Sequence, residues 1–304
     1  MRELATKINF DVGAVSGLDF SEFKNVLVIT GTQHSLRVFE EKVRPMFFGK
    51  KTNFHIWTNI SVNLPDYEVY SVMNFASGNN IDCILTVGAD AVMDCGRLCN
   101  LLLSHGGFLH DYLLGGSMGT YGITEKVLPH ITVPTMPSAG SEISGSAHFR
   151  QGNVVKTITS AFLVPSATYI DPLMMTGLPG ELWAVRGFSA FATATVALNS
   201  VGANETSNSY AKAALDGYMK HVINLPKSPD DIELIKHACV VSINSLLAAN
   251  YADVGAEYAK VIDLVSRHGI RIGLAWAMVM SGNKDAQKVI KKLGLKLPSV
   301  GGVT

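Results

Sequence analysis

The sequence predicts an α/β domain built on a parallel sheet, followed by an all-helical domain. Through the first half of the chain, short apolar runs alternate with helix-like segments, which is the pattern of a parallel sheet covered by helices on both faces. After the Asp171-Pro172 pair, the strand-like runs stop and longer helical segments follow. We therefore place the first domain at residues 1–172 and the helical domain at residues 173–304.

Buried strands are predicted where a short apolar run leads into a glycine or a polar loop. The first run ends at Gly31, as a buried parallel strand does when it feeds a loop. The predicted strands are Asn25–Thr30, Phe54–Asn59, Ile81–Val87 and Ile131–Pro134. The predicted helices between them are Ser35–Met46, Val69–Ser77 and Val92–Leu103.

The second domain is predicted to consist of helices. Pro179-Gly180 marks the start of the first one, because proline is favoured at a helix start and disfavoured inside it. The predicted helices are Glu181–Ala197, Ser207–Ile223, Ile232–Ala249, Glu257–Val265 and Ile270–Met280. We expect this domain to be shortened at its end, with some packing partners missing or supplied by another subunit.

Composition argues against several classes of protein. Lys plus Arg and Asp plus Glu both number 25, so the formal net charge is zero. A nucleic-acid binder usually carries a basic stripe, whereas a surface of low net charge favours self-association. No stretch reaches about 18 uninterrupted apolar residues, so no membrane span is predicted. The start of the chain lacks the apolar run of a secretion signal. We expect a cytoplasmic homo-oligomer, such as a dimer, without nucleic-acid or membrane partners.

The cysteines and most histidines are expected to be structural or solvated. The four cysteines are too few and too irregular in spacing for a disulfide scaffold. Cys95 and Cys99 are four residues apart and share a helix face, so a zinc pair is conceivable, but two buried structural thiols are favoured. The histidines expected to lie in solvated loops or turns are His105, His110, His130 and His148.

A candidate phosphate-binding turn follows the third predicted strand. Backbone N–H groups at a helix start attract anions, and glycines allow the ligand to approach the backbone. In the segment Gly88-Ala89-Asp90-Ala91, however, just one glycine is present. Asp90 puts a carboxylate where a pyrophosphate would lie, and like charges repel. Cofactor binding and an inert strand–helix turn are about equally favoured here.

A second loop of small residues follows the fourth predicted strand, from Thr135 to Glu142. Hydroxyl and N–H groups that follow a parallel strand commonly line a ligand crevice at the strand ends. A capped loop before a short helix explains the same residues about equally well.

Together, these segments resemble the iron-containing (group III) alcohol dehydrogenase family. The family's Gly-Gly-Gly-Ser-x-x-Asp turn is matched by Gly88 to Asp94, and its Pro-Thr-x-x-Gly-Thr-Gly-Ser-Glu signature by Pro134 to Glu142. The further matches that keep the family's spacing are Lys156, Pro165, Tyr169 to Pro172, Leu178-Pro179 and Gly187. The resemblance implies a dinucleotide-binding-type domain and a helical domain that holds a divalent metal. It also implies interconversion of alcohols with aldehydes or ketones by hydride transfer.

The resemblance also implies where the cofactor would bind. At the end of the first strand, many family members carry an acidic residue that contacts the adenosine ribose, and Gly31 stands there instead. Without that carboxylate a 2′-phosphate meets less repulsion, so the cofactor is NADP or NAD, with NADP slightly favoured. The implied cofactor-binding residues are Gly31, Gly88, Ala89, Asp90, Asp94, Thr135, Ser138 and Lys156.

Metal ligation is where the sequence departs from the family. The resemblance implies an Asp and a His four residues apart on one helix face, but Ser189 and Thr193 occupy those positions. No histidine occurs between Val254 and Arg267, where the third ligand belongs. The fourth, which begins a His-Gly pair, is matched by His268. Hydroxyls are poor ligands for iron or zinc at neutral pH, so His268 is a remnant and a divalent metal is not favoured.

Three interpretations remain open from the sequence. The chain is a working NAD(P)-dependent oxidoreductase for a small alcohol or aldehyde, with His268 as the catalytic candidate and Lys156 or Lys260 as other proton donors. Alternatively, it is a non-catalytic relative that serves as a binding or assembly subunit. In the third interpretation it is a truncated gene product that still folds.

Overall fold

A computed structural model describes residues 6–119, 122–137, 139–268 and 272–298. Within these residues the chain forms two compact units. The first contains the described residues up to Met136, together with Ser141–Gly152 and Lys156–Met175. The second contains the described residues of Pro137–Gly140, Asn153–Val155 and those from Thr176 onwards.

A six-stranded parallel sheet forms the centre of the first unit, so the predicted fold class is confirmed. The order of the strands across the sheet is β1-β8-β5-β4-β2-β3, and every pairing is parallel. The strand bounds are β1 Lys7–Phe10, β2 Asn25–Gly31, β3 Asn53–Ile60, β4 Cys83–Gly88, β5 His130–Pro134 and β8 Ala167–Ile170. A separate two-stranded sheet contains β6, Ser146–Gln151, and β7, Val154–Thr159.

The central strands are buried on both faces, as their continuous apolar runs predict. In β2, Leu27 and Ile29 belong to one hydrophobic cluster, whereas Val26 and Val28 belong to another. Because successive side chains of a strand point to opposite faces, these two clusters lie on the two faces of the sheet. The first cluster includes residues of the helices α2, Asp66–Ala76, and α3, Asp90–His105.

The prediction of one continuous α-helix at Ser35–Met46 is wrong. The segment begins as a short α-helix, α1, at His34–Val38, passes through a π-helical turn at Phe39–Val43 and ends as a 3₁₀ turn at Arg44–Phe47. Pro45 lies in this last turn. Proline lacks an N–H group and clashes with the preceding turn, so a regular α-helix does not continue through it.

Strands β1, β6, β7 and β8 were not predicted from the sequence. Strand β1 pairs with β8 in a register that aligns Lys7 with Ala167 and Phe10 with Ile170. Both strands have four residues; β1 is an edge strand of the sheet and β8 is its neighbour. Burial is incomplete in both strands, and their apolar runs are interrupted. Such short strands have little local signal and are defined by pairing with distant segments.

The second unit is helical, as predicted. Its helices are α4 Gly180–Asn199, α5 Glu205–Lys220, α6 Ile232–Ala252, α7 Gly255–His268, α8 Ile272–Val279 and α9 Lys284–Leu293. Helix α9 was not predicted. Asn283 caps its start by accepting hydrogen bonds from the backbone N–H groups of Asp285 and Ala286, each at 3.0 Å. Asparagine is among the best N-cap residues, so this signal was present in the sequence.

Among the described residues, one helix is long and apolar enough to cross a membrane by length and composition, namely α6. Within the helical unit it packs against α4 and α5. A core helix of a soluble protein passes the same test of length and composition, so this resemblance to a span carries little weight.

Candidate functional site

The order of the strands creates a switch point between β2 and β4. After β2, the chain adds β3 on one side, whereas β4 and β5 extend the sheet on the other side. In open parallel sheets, ligands bind in the crevice outside the carboxyl ends of the strands at such a point. Here β2 ends at Gly31 and β4 ends at Gly88. Two of the predicted cofactor-binding residues therefore flank the switch point.

Gly88 is required by the close approach of Val92, near the start of α3, and Gly31 leaves room for the same side chain. A Cβ atom at Gly31 would lie 3.0 Å from a methyl carbon of Val92, and one at Gly88 would lie 2.5 Å from the same carbon. Real Cβ atoms show essentially no contacts under 3.0 Å. The glycines thus allow the start of α3 to lie directly over the ends of two adjacent strands.

We expect the substitution Gly88→Ala to lower the free energy of unfolding by about 1–3 kcal/mol, the usual cost of overpacking. The added methyl group would be forced against the branched side chain of Val92. Urea denaturation of the purified protein measures the loss. The double variant Gly88→Ala/Val92→Ala is the control, because it removes the opposing methyl groups and should recover part of the stability. Equal losses in both variants would show that the contact with Val92 is not the cause.

Hydroxyl groups from two separate segments meet beside this crevice. The Oγ atom of Ser35 and the Oγ1 atom of Thr135 lie 2.9 Å apart, and both residues are buried. The backbone N–H of Thr135 also donates a hydrogen bond of 3.1 Å to the carbonyl oxygen of Gly88. Thr135 was predicted as a site residue, but Ser35 was not, since the two are 100 residues apart in the chain.

His34 is held in one neutral form at the start of α1. Its Nε2–H donates to the carbonyl oxygen of Met174 at 3.2 Å, and its Nδ1 accepts from the guanidinium of Arg37 at 3.2 Å. Burial, and then the positive charges of Arg37 and Lys42, lower the pKa of His34 below its usual value. Gln33, directly before it, has φ 47° and ψ −109°, a conformation that side-chain-bearing residues rarely adopt.

The start of α3 is less well suited to a phosphate than the family's turn. The N-cap position is Ala89, which has no side chain able to cap the helix. The N–H groups at the start of α3 therefore receive no side-chain acceptor from this residue. The next residue, Asp90, adds a negative charge in the first turn and is partly buried. Its carboxylate stabilises the helix dipole but repels a bound anion.

Asp94, the last residue of the matched turn, forms part of a buried ionic cluster. Its Oδ1 accepts from Arg97 at 2.8 Å, and its Oδ2 lies 3.4 Å from Nδ1 of His148. Asp94 is 4% exposed and Arg97 is fully buried. These contacts favour a structural role for Asp94, and a contact with a cofactor remains a prediction. Arg97 was not among the residues predicted from the sequence.

Two predicted cofactor-binding residues remain, Lys156 and Ser138. Lys156 is a partly buried residue of β7, and its predicted contact with a cofactor remains a prediction. Ser138 lies outside the described residues. Close to it in sequence, the backbone N–H of Gly140 donates a hydrogen bond of 2.9 Å to the Oγ of Ser242, and both of these residues belong to the helical unit.

The positions implied as metal ligands are on the expected helix but have the wrong chemistry. Ser189 and Thr193 are 4% and 7% exposed and lie one turn apart on α4. His268, the last residue of α7, has an exposed side chain. Across the described residues, no three His, Cys, Asp or Glu side chains come together in a way that could hold a metal ion. The described donor set at these positions therefore does not fit a tightly held iron or zinc ion.

Curated proteins similar to this chain include alcohol dehydrogenases. It is 27% identical over 192 residues to long-chain-alcohol dehydrogenase 1 of Geobacillus thermodenitrificans, an alignment that covers 63% of this chain and 48% of that protein. The chain spans 45–63% of the length of such curated relatives.

Two solved structures share its fold. An iron-containing alcohol dehydrogenase from Thermotoga maritima matches with a TM-score of 0.83 and 18% identity, covering 98% of this chain and 88% of that one. A sulfoacetaldehyde reductase from Bifidobacterium kashiwanohense, in complex with NAD⁺, matches with a TM-score of 0.83 and 19% identity, covering 96% and 85%. The family model for iron-containing alcohol dehydrogenase matches residues 5–172, more than half of the chain. This chain therefore belongs to the iron-containing alcohol dehydrogenase family.

Proposed function

We propose that this chain is a nucleotide-binding member of its family that does not carry out the metal-assisted interconversion of alcohols and aldehydes. A binding or assembly role within a homo-oligomer replaces that turnover. The observation that carries this proposal is the pair of buried hydroxyl side chains, Ser189 and Thr193, on α4 where the resemblance implies a carboxylate and an imidazole.

Loss of the metal-assisted step follows from the chemistry of these side chains. In a metal-dependent dehydrogenase, the ion acts as a Lewis acid on the substrate oxygen. The hydroxyls of Ser189 and Thr193 are neutral at pH 7, so they offer no charge to offset the cost of dehydrating a divalent cation. His268 by itself supplies a single nitrogen ligand, which is too few for a structural or catalytic zinc or iron site.

Retention of a nucleotide is supported by the crevice at the switch point. Gly31, Gly88 and the start of α3 have the layout that accepts a dinucleotide in parallel α/β sheets. When bound, a nicotinamide dinucleotide supplies the chemistry of hydride transfer. Gly31 places no carboxylate at the end of β2, so NADP is accommodated as well as NAD. Asp90 opposes the phosphates, and we therefore expect weak binding.

Fluorescence titration tests the nucleotide part of the proposal. NADPH and NADH are added separately to the full chain, and quenching of its tryptophans is followed. We expect saturable binding of NADPH that is at least as tight as that of NADH. The substitution Gly31→Asp is the matched control, because its carboxylate should weaken NADPH more than NADH. Absence of saturation with both nucleotides would refute nucleotide binding.

Restoring the ligands tests the loss of the metal-assisted step. The double variant Ser189→Asp/Thr193→His returns a carboxylate and an imidazole to one face of α4. After loading with Fe²⁺ or Zn²⁺ and desalting, this variant should retain more metal than the wild type, and the additional substitution His268→Gln should reverse the gain. The wild type should not reduce aldehydes with NADPH or NADH above buffer. Turnover by the wild type, or tightly held metal that His268→Gln removes from it, would contradict the proposal.

A further inference from the structure

Strand β3 lies at one edge of the six-stranded sheet and directs a row of backbone groups away from it. The backbone N–H of Asn53 donates to the carbonyl oxygen of Lys24 at 2.8 Å, and β3 then runs in register along β2. Alternate residues of a parallel strand bond to the neighbouring strand, so Asn53, His55 and Trp57 face β2. The N–H and C=O groups of the residues between them face outward, where no other described strand pairs with β3. These outward-facing residues are Phe54, Ile56 and Thr58.

This edge lacks the features that usually protect an exposed strand. Proteins protect such edges with short strands, charged side chains or proline. Strand β3 has eight residues, NFHIWTNI, with no Lys, Arg, Asp, Glu or Pro among them. Its irregular residue, Asn59 with φ 70°, lies near its end. At the opposite edge of the sheet, β1 has four residues and includes Lys7. Of these two edges, β3 is therefore the one suited to accept a further strand.

Apolar surface accompanies this edge on both faces of the sheet. On one face, the ring of Phe75 from α2 lies 5.3 Å from the ring of Trp57 and the residue is 37% exposed. On the other face, Phe54 stacks on Phe47 at 3.9 Å, and Phe48, the next residue, is 78% exposed. A strand added to β3, together with the elements that flank it, would remove such surface from water.

We propose that two copies of this chain associate through β3, which pairs with β3 of the second copy in antiparallel orientation about a two-fold axis at Ile56. In this register Ile56 faces Ile56 of the second copy, and Phe54 faces Thr58 of the second copy. Residues that face each other in hydrogen-bonded pairs of an antiparallel ladder exchange both of their backbone hydrogen bonds. Every outward N–H and C=O group of Phe54, Ile56 and Thr58 then has a partner.

A second copy is the favoured occupant because the strand is complementary to itself. A two-fold contact requires the same surface to fit its own copy, and an antiparallel pair of identical strands meets this requirement. Like charges directly opposite each other destabilise a strand pair, and β3 contains none. The formal net charge of the chain is zero, so two copies do not repel each other through their net charge. The inference rests on the homo-oligomer of the proposed function and names its contact surface.

Analytical ultracentrifugation of the full chain at micromolar concentration tests the pairing, and we expect the wild type to be a dimer. The substitution Thr58→Pro removes an outward N–H group, whereas the ladder to β2 keeps its donors. It should raise the dissociation constant of the dimer by about 10-fold or more, because each copy loses a hydrogen bond. The matched control is Thr58→Val, which keeps the N–H and should dimerise as the wild type does. Far-UV circular dichroism verifies that both variants are folded.

The outcomes separate this inference from the proposed function. A dimer that Thr58→Pro leaves unchanged would overturn pairing through β3 and leave the homo-oligomer intact. A monomeric wild type would overturn both the pairing and the homo-oligomer. Neither outcome bears on nucleotide binding or on the loss of the metal-assisted step.

Charge substitutions at position 56 test the register. Ile56→Lys and Ile56→Glu, each by itself, place like charges opposite each other and should be monomeric. An equimolar mixture of the two should form a heterodimer, because opposite charges then face each other, and this rescue requires both variants to be folded. The control pair is Val201→Lys and Val201→Glu, at a fully exposed position of the second unit, and each should remain a dimer. A mixture as monomeric as its separate components, or undisturbed dimers of both position-56 variants, would overturn the proposed register.

Discussion

Replacing Arg97 with methionine is expected to lower the free energy of unfolding by about 3–5 kcal/mol, the usual cost of breaking a buried ion pair from one side. The guanidinium is fully buried and lies 2.8 Å from Asp94. Methionine has a similar length but no charge. The substitution would therefore leave the carboxylate of Asp94 buried without its guanidinium partner.

The same guanidinium also holds residues 141–144, at the end of the small-residue loop. Its Nε–H donates to the carbonyl oxygen of Ser144 at 2.8 Å, and a second nitrogen donates to the carbonyl oxygen of Ser141. Burial lowers the pKa of Arg97, and the charges of Asp94 and Glu142 oppose this shift. The residue thus connects α3 to residues 141–144, and losing it should loosen this turn as well as α3.

Urea denaturation of Arg97→Met against the wild type measures this loss. The double variant Asp94→Asn/Arg97→Met is the control, since it removes the charge that the single substitution leaves stranded. We expect the double variant to be more stable than Arg97→Met, because a neutral amide is less costly to bury than a carboxylate. A single variant within about 1 kcal/mol of the wild type would show that the buried pair contributes little.

Acid is expected to destabilise the first unit through protonation of His130. We expect the free energy of unfolding to fall by about 4 kcal/mol between neutral pH and pH 3. His130 is 2% exposed, at the start of β5. Burial, with a smaller effect from the positive charge of Arg97, lowers its pKa to about 3. The expectation that His130 is solvated was therefore wrong, because it begins a strand in the centre of the sheet.

The sign of the effect follows from the lowered pKa. An unfolded chain takes up a proton at His130 near pH 6.5, whereas the folded protein does so near pH 3. Above pH 6.5 both states are neutral at this residue and stability is unaffected by it. As the pH falls from 6.5 towards 3, the unfolded state binds the proton first and folding stability declines.

Urea denaturation at pH 7 and pH 4.5, for the wild type and His130→Gln, checks this prediction. Glutamine does not titrate and can still meet the Oγ1 of Thr86, which lies 3.0 Å from Nε2 of His130. The wild type should lose roughly 2–3 kcal/mol more than the variant over this interval. Comparing the two proteins cancels the carboxylates, which titrate in both. Parallel losses would mean that His130 does not control the acid response.

Parts of the candidate site could be read from the sequence because they depend on local spacing. Gly88 and Thr135 end or follow apolar runs, so a parallel sheet brings them to one edge. Ser189 and Thr193 are four residues apart on one predicted helix, and their hydroxyl chemistry is independent of the fold. The predicted burial of the thiols Cys95 and Cys99 is confirmed, and their sulfur atoms lie 3.9 Å apart.

Residue identity and periodicity determined the parallel sheet, the helical second unit and the altered ligand positions. Each of these features depends on residues that are close together in the sequence. Tertiary structure decided what depends on segments far apart in the chain. It paired β1 with β8 and brought Ser35 to Thr135. It also placed residues 141–144 against Arg97 and buried His130. In the helical unit it stacked His221 on His237. The reason is that burial and long-range pairing depend on all the neighbours that a residue acquires on folding, whereas the sequence around it specifies just its local preference.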